Sequence, residues 1–246
     1  MKLRSKDLPV SMQGGEELLL LLRATLEKRK ITHVLETGTY LGLGSTTFVA
    51  ESFPRGLPPR LFVTIEVSWA NWRQARHNLR RFPFVTPLWG RTVAARTALQ
   101  FLDSDDALRN PDQYPDIVID DIKDPRGFYR NEILGAAGER HKSLRLAIRW
   151  RLDRFFAYAG EDLLEKYLVR FQARDPLIIM DSAGGIGFLE FTILLRVMRN
   201  RPYSLLLDDI NHIKHFRSYE HIRKDRRFTI LGLDESRGWL FARHAP

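Results

Sequence analysis

The sequence predicts an α/β protein with a mainly parallel sheet, a reversed C-terminal strand and a large helical insertion before the fourth strand. Near the start, the β-branched and apolar residues 31–36 break into a glycine-rich turn, and Ser45 then opens a helix that stops before Pro54. Short apolar strands alternate with helical stretches on both sides of the middle, the pattern of a parallel sheet. At the other end, residues 228–233 and 239–242 flank the turn-like 234–238 and read as an antiparallel hairpin.

In chain order, residues 16–28 are strong helix formers after Gly14 and Gly15. Strand one is 31–36, strand two 61–67, and 69–81 forms the helix that follows. Residues 85–89 make a short third strand closing at Gly90. Beyond the middle, 177–181 is a strand, 186–200 a helix, 204–209 a strand and 213–224 a helix. If the hairpin supplies strands six and seven, 204–209 is strand five and 177–181 strand four. Residues 103–175 then become the insertion, too long for an ordinary loop and suited to a lid, a substrate platform or an oligomer contact. The expected organisation is an N-terminal helical segment 1–30, a nucleotide-binding domain from 31–102 and 176–246, and the insertion 103–175. A competing assignment makes 116–120 the fourth strand, with Asp120, Asp121 and Asp124 as its carboxylates.

Composition narrows the function classes. The chain has 246 residues, 44% hydrophobic and 28% charged, so a folded core is expected. Its longest aliphatic run, 18–22, is too short to span a bilayer, and no secretory signal is evident, so a cytoplasmic protein without a membrane partner is expected. The absence of cysteine removes disulfides, thiolate nucleophiles and cysteine-ligated zinc. A net charge of +9 attracts anions and keeps nucleic acid as a partner to be weighed. Basic residues cluster at 140–154 and 214–227. The first cluster carries Leu144, Ile148, Leu152 and Phe155 at helical spacing, so its arginines read as the solvated side of an amphipathic helix.

The strongest chemical signal is the segment Glu36, Thr37, Gly38, Thr39, Tyr40, Leu41, Gly42, Leu43, Gly44, Ser45. Glycines at a strand-to-helix turn let the backbone approach a ligand closely. Glu36 ends the strand where a carboxylate can receive an amino group, and Glu66 ends strand two where it can accept from ribose hydroxyls. The spacing Gly38, Gly42, Gly44, with Thr47 in place of a further glycine, disfavours pyrophosphate.

These residues, with the terminal hairpin, resemble class I S-adenosylmethionine-dependent methyltransferases over about 31–100 and 175–246. The resemblance implies a Rossmann-like sheet of order 3-2-1-4-5-7-6 and S-adenosylmethionine as cofactor. It implies a methionine subsite at Glu36 and Gly38 with Thr39, Gly42 and Ser45 in the same loop, ribose at Glu66, and adenine flanked by Gly90, Arg91 and Thr92.

A second signal is the set of carboxylates at strand ends. Asp181 closes strand four and Asp208 and Asp209 close strand five, so parallel neighbours bring them to one crest. Such oxygens suit Mg²⁺ or a similar ion, and the set resembles metal-dependent O-methyltransferases. The opposing reading makes them caps of the following helices. A third signal is His212, which can accept a proton from a hydroxyl or ligate the metal, or lie on the surface with His215 behind an Asn211 cap. The glycine-rich loop 181–187 approaches the same edge.

The function these features imply is methyl transfer to oxygen on a small-molecule acceptor, with a divalent metal and with a homodimer in view. An RNA methyltransferase is the runner-up, favoured by charge. A non-catalytic nucleotide-fold binding protein is the third reading.

Overall fold

The computed structural model describes residues 15–54, 56–114, 116–120, 123–134, 143–182 and 185–246. Gly14, Asp121, residues 140–142 of the first basic cluster, and Ala183 and Gly184 of the second glycine-rich loop lie outside the described residues.

The chain runs α1 (Gly15–Arg29), β1 (His33–Thr37), α2 (Ser45–Ser52), β2 (Leu61–Glu66), α3 (Trp69–Asn78), β3 (Val85–Trp89) and α4 (Ala95–Ser104). It continues through α5 (Asp106–Arg109), α6 (Pro125–Ile133), α7 (Leu144–Phe156), α8 (Leu163–Phe171) and β4 (Leu177–Met180). It ends with α9 (Gly187–Val197), β5 (Tyr203–Leu207), α10 (Phe216–Lys224), β6 (Phe228–Asp234) and β7 (Trp239–His244). The sheet order is β3-β2-β1-β4-β5-β7-β6, with β1 to β5 parallel and β7 antiparallel to β5.

Period-two alternation explains why this sheet is covered on both faces. In β4, Leu177 and Ile179 pack with Leu18, Leu22, Val49 and Ala75, whereas Ile178 and Met180 pack with Leu164, Leu168, Phe171 and Phe191. A strand with two buried faces reads as a continuous apolar run, as Leu177–Met180 does. The hairpin register shifts between Ile230 and Gly232, where a Cβ on Gly232 would meet Leu21 of α1.

Residues 116–120 are not a strand of the sheet. Val118 makes one isolated parallel bridge with His212, so the competing assignment of strand four to this segment is excluded, and β4 is Leu177–Met180. The chain between β3 and β4 ends in α8, whose Leu163, Leu164, Leu168 and Phe171 are buried against the sheet. That helix is the crossover which a right-handed parallel connection needs. The segment before it is tied down at several points: Ser143 caps α7, Asp124 caps α6 ahead of Pro125, and Asp105 caps α5.

Helix α7 departs from expectation. It has no buried residue; Leu144, Ile148, Leu152 and Phe155 are all exposed, so its apolar stripe faces outward rather than the core. What holds it is Trp150, packed on the buried Trp69, Trp72 and Trp89, and Asp153, which accepts from the Trp69 indole at 3.2 Å. Between α3 and α7 lies a groove of about 630 Å³ lined by Trp69, Arg73, Arg76, Arg80 and Arg149.

The middle segment is also joined to α10, because Arg217 Nη2 lies 2.6 Å from Asp105 Oδ2. The same aspartate accepts from Leu108 N at 3.1 Å. Asp105→Ala should therefore lower the unfolding free energy by about 2 kcal/mol, through the lost cap and a partly buried guanidinium left unpaired. Urea unfolding measures this, and an unchanged midpoint would show that α5 and α10 are not coupled.

Candidate functional site

The carboxyl ends of β1, β2, β4 and β5 form one crest, because parallel strands in register end together. At β1 the chain must turn sharply. Gly38 has φ +87°, and a Cβ there would lie 2.1 Å from the Asp181 carbonyl oxygen, so only glycine allows the loop to lie against the end of β4. Gly38 N–H and Thr39 N–H both donate to Ile65 O, at 3.1 and 3.2 Å, extending the parallel ladder into the turn. Gly42 donates to Thr39 O at 2.8 Å, and Thr39 Oγ1 pairs with Thr64 Oγ1 at 2.5 Å.

Two glutamates flank this loop. Glu66 accepts from Tyr40 N–H and from Ser68 N–H, each at 2.7 Å, so one carboxylate joins the glycine loop to the end of β2. Glu36 is fully buried, and its Oε2 accepts from the Thr46 hydroxyl at 2.6 Å. Its Oε1 is buried without a hydrogen-bond partner among the described residues. Burial pushes both carboxyls up to about 7, against the lowering effect of their hydrogen bonds. Ser45 Oγ donates to Asp181 Oδ2 at 3.3 Å and so links the loop to the carboxylates beyond it.

The strip expected to flank adenine, Gly90 to Thr92, directly follows β3. Trp89 bridges Tyr158, Arg91 N–H donates to Gly160 O at 3.0 Å, and Leu163 and Leu164 donate to the carbonyls of Arg91 and Thr92. A Cβ on Gly90 would meet Leu163 and Gly160. Arg91 itself reaches Tyr158 and Glu161 at 2.7 and 2.8 Å. The backbone of Gly90, Arg91 and Thr92 is thus backed by residues 158–164.

Asp181, Asp208 and Asp209 come together, each offering an oxygen within 4.8 Å of the others. None of them caps a helix: α9 starts after Ile186 and α10 after His215, neither with a side-chain cap from these residues. The capping alternative is overturned, and so is the Asn211 cap, since Asn211 Nδ2 instead donates to Glu235 O. What the sequence reading missed is Lys214. Its Nζ lies 3.2 Å from Asp181 Oδ1 and 2.7 Å from Asp209 Oδ2, and the residue is only 7% exposed. Burial pulls this ammonium down, but Asp181, Asp209 and Asp208 together raise it above the ordinary lysine range. Asp208 is pushed up to about 8 by burial and by repulsion from its two neighbours.

The donor set therefore does not fit a divalent ion as it stands. A dication on the same oxygens would have to compete with the Lys214 ammonium, which repels it, for Asp181 Oδ1 and Asp209 Oδ2. One positive charge is already supplied to the three clustered carboxylates by the chain itself.

His212 and His215 are not surface residues. His215 is fully buried beneath Gly187, and burial holds it well below the usual histidine range. His212 is buried too and does not join the three aspartates. Its Nδ1 accepts from Lys214 N–H at 3.3 Å and its Nε2 lies 3.2 Å from Asp120 Oδ2. Both ring nitrogens therefore have neighbours within the chain. In this geometry His212 ties the Lys214 turn to Asp120. A second residue missed by sequence is Glu190, fully buried on α9, which accepts from Thr37 and Ser182 at 3.0 and 2.7 Å. An acidic residue in the first turn of a helix is too common a signal to have marked it.

The fold is Rossmann-like, with the sheet order of class I methyltransferases. No family model matches the chain, and no curated protein matches it. Among solved structures it is similar to an O-methyltransferase from Bacillus cereus in complex with SAH, at 16% identity over 97% of this chain and 85% of that one, with a TM-score of 0.48. It is similar to the O-methyltransferase TomG from Streptomyces achromogenes, involved in tomaymycin synthesis and in complex with SAM, at 15% identity, 98% and 85% coverage and a TM-score of 0.49. A third is the SAH-bound methyltransferase PaMTH1 from Podospora anserina, at 13% identity, 94% and 80% coverage and a TM-score of 0.47. Among the described residues no helix is long and apolar enough to cross a membrane.

Proposed function

We propose that this chain is an S-adenosylmethionine-dependent methyltransferase acting on oxygen of a small-molecule acceptor. The observation that carries the reading is Glu36 Oε1, a buried carboxylate oxygen beside the Gly38 turn with no hydrogen-bond partner among the described residues. An orphaned buried acceptor costs free energy unless a donor meets it, and a ligand ammonium group is such a donor. When bound, S-adenosylmethionine supplies a methyl group made electrophilic by its sulfonium centre.

The residues proposed to hold it follow from the crest. Glu36 receives the amino group, with Gly38, Thr39, Gly42 and Ser45 shaping the loop around it. Glu66 has both oxygens on backbone donors and retains lone pairs for ribose hydroxyls. The strip Gly90, Arg91 and Thr92, backed by residues 158–164, is the proposed wall for the base. The chain's contribution to rate is placement of the acceptor oxygen in line with the methyl carbon, over the Asp181 and Asp208 crest.

Nucleic acid is the weaker reading because several residues of the second basic cluster already have acidic partners within the chain. Arg217 pairs with Asp105, Arg223 and Lys224 with Glu220, Arg227 with Asp225, and Lys214 is buried.

Calorimetric titration with S-adenosylhomocysteine tests the cofactor assignment. Binding to the wild-type chain should weaken roughly tenfold in Glu66→Gln, which keeps one acceptor oxygen and loses the charge. No heat of binding with the folded wild-type chain would remove the methyltransferase reading and favour a nucleotide-fold protein of another function.

A further inference from the structure

The crest holds a cation of its own. Lys214 lies seven residues after the end of β5 and opens the second basic cluster of the sequence, yet it is buried with its Nζ between Asp181 and Asp209. The turn that delivers it is fixed from several sides. Ile210 N–H donates to Gly238 O of the terminal hairpin at 2.8 Å, and Ile213 N–H donates to Val118 O at 3.0 Å. Lys214 N–H donates to the His212 ring, and that ring faces Asp120. Asp209, with φ +56°, sits in the left-handed region that the turn requires. An ammonium held this way does not move aside without breaking two ion pairs and opening a braced turn.

We propose that the Lys214 ammonium is the resident cation of the Asp181, Asp208 and Asp209 cluster, standing where a divalent ion would have to sit, so that the site binds no divalent metal. The proposal rests on the methyltransferase reading only for its consequence, namely that methyl transfer here proceeds without metal assistance; the charge arrangement itself does not depend on it. The chemistry is consistent on its own terms. Three carboxylates brought this close need a positive charge or a proton. One lysine supplies the charge at hydrogen-bond distance from two of them, with Asp208 as the third. Removing the ammonium while keeping its length leaves a cluster of hard oxygens, the donor type that Mn²⁺ and Mg²⁺ take.

The experiment is a titration of the full chain with Mn²⁺ alone, followed by water-proton relaxation, for the wild type, Lys214→Arg and Lys214→Met. The wild type and Lys214→Arg should show no saturable binding up to about 1 mM Mn²⁺, whereas Lys214→Met should gain one site at least roughly tenfold tighter. One Mn²⁺ per wild-type chain saturating well below that concentration overturns the proposal, as does a folded Lys214→Met chain whose Mn²⁺ binding equals that of the wild type. Should Lys214→Met not fold, the wild-type titration decides alone. S-adenosylhomocysteine binding, measured on the same wild-type sample, reports separately on the cofactor: its absence removes the methyltransferase reading and leaves the Mn²⁺ result standing.

Discussion

Replacing Gly38 by alanine should abolish measurable S-adenosylhomocysteine binding and lower the unfolding free energy by about 3 kcal/mol. Two costs combine. The residue has φ +87°, where an L side chain is strained, and the new Cβ would lie 2.1 Å from the Asp181 carbonyl oxygen and 2.9 Å from Ser182 Cα. These are backbone atoms at the end of a central strand, so relief requires the loop to lift from β4. Lifting it moves Thr39 away from Ile65 O and Tyr40 away from Glu66. Gly56 supplies the control: its φ is +82° but, among the described residues other than its chain neighbours, no atom lies within 4 Å of its would-be Cβ. Gly56→Ala should cost only the strain, about 1 kcal/mol, and leave binding unchanged. Equal effects at the two positions would mean that the approach to Asp181 does not matter.

Glu36→Gln should separate stability from binding by moving them in opposite directions. Glu36 is raised from the ordinary 4.5 to about 7, chiefly by burial. Between those pH values the folded chain binds more protons than the unfolded one, so the contribution of this group falls as pH rises from about 4.5 through about 7. The full loss is roughly 3 kcal/mol, and glutamine does not suffer it. At pH 8 the ligand-free variant should therefore be more stable than the wild type, with a flatter pH dependence across that window. The slope contributed by Glu66, raised for the same reason, should remain in both. Affinity for S-adenosylhomocysteine should instead drop by at least roughly tenfold at pH 8, where only the wild type carries a carboxylate for the ligand ammonium. A variant that loses stability at pH 8, or keeps its affinity, would show that Glu36 does not face the ligand.

Much of the scaffold was legible because its signals are local. The run Leu177–Met180 is apolar throughout since both faces of β4 are covered, and Gly38 marks a turn that no other residue makes. The meeting of Asp181 with Asp208 and Asp209 also followed from sequence, because the ends of neighbouring parallel strands share a crest. The charge between them did not follow. Lys214 begins a basic run, and basic runs are usually solvated. Its burial depends on a turn braced by Gly238 and Val118, distant in sequence.

The same distinction runs through the rest of the molecule. Alternation, glycine placement and terminal acids by themselves determined where the strands fall and which carboxylates end them, since these depend on backbone geometry and a period of two, whereas the strand order was what the family resemblance implied. Only the tertiary structure decided what each polar group meets: that residues 158–164 back Gly90, Arg91 and Thr92, that His212 turns to Asp120, that α7 carries its apolar stripe outward, and that an ammonium fills the acidic crest. The reason is physical. Backbone direction is set by neighbours in the chain, whereas the energy of a buried charge is set by whichever opposite charge the fold brings within about 4 Å of it.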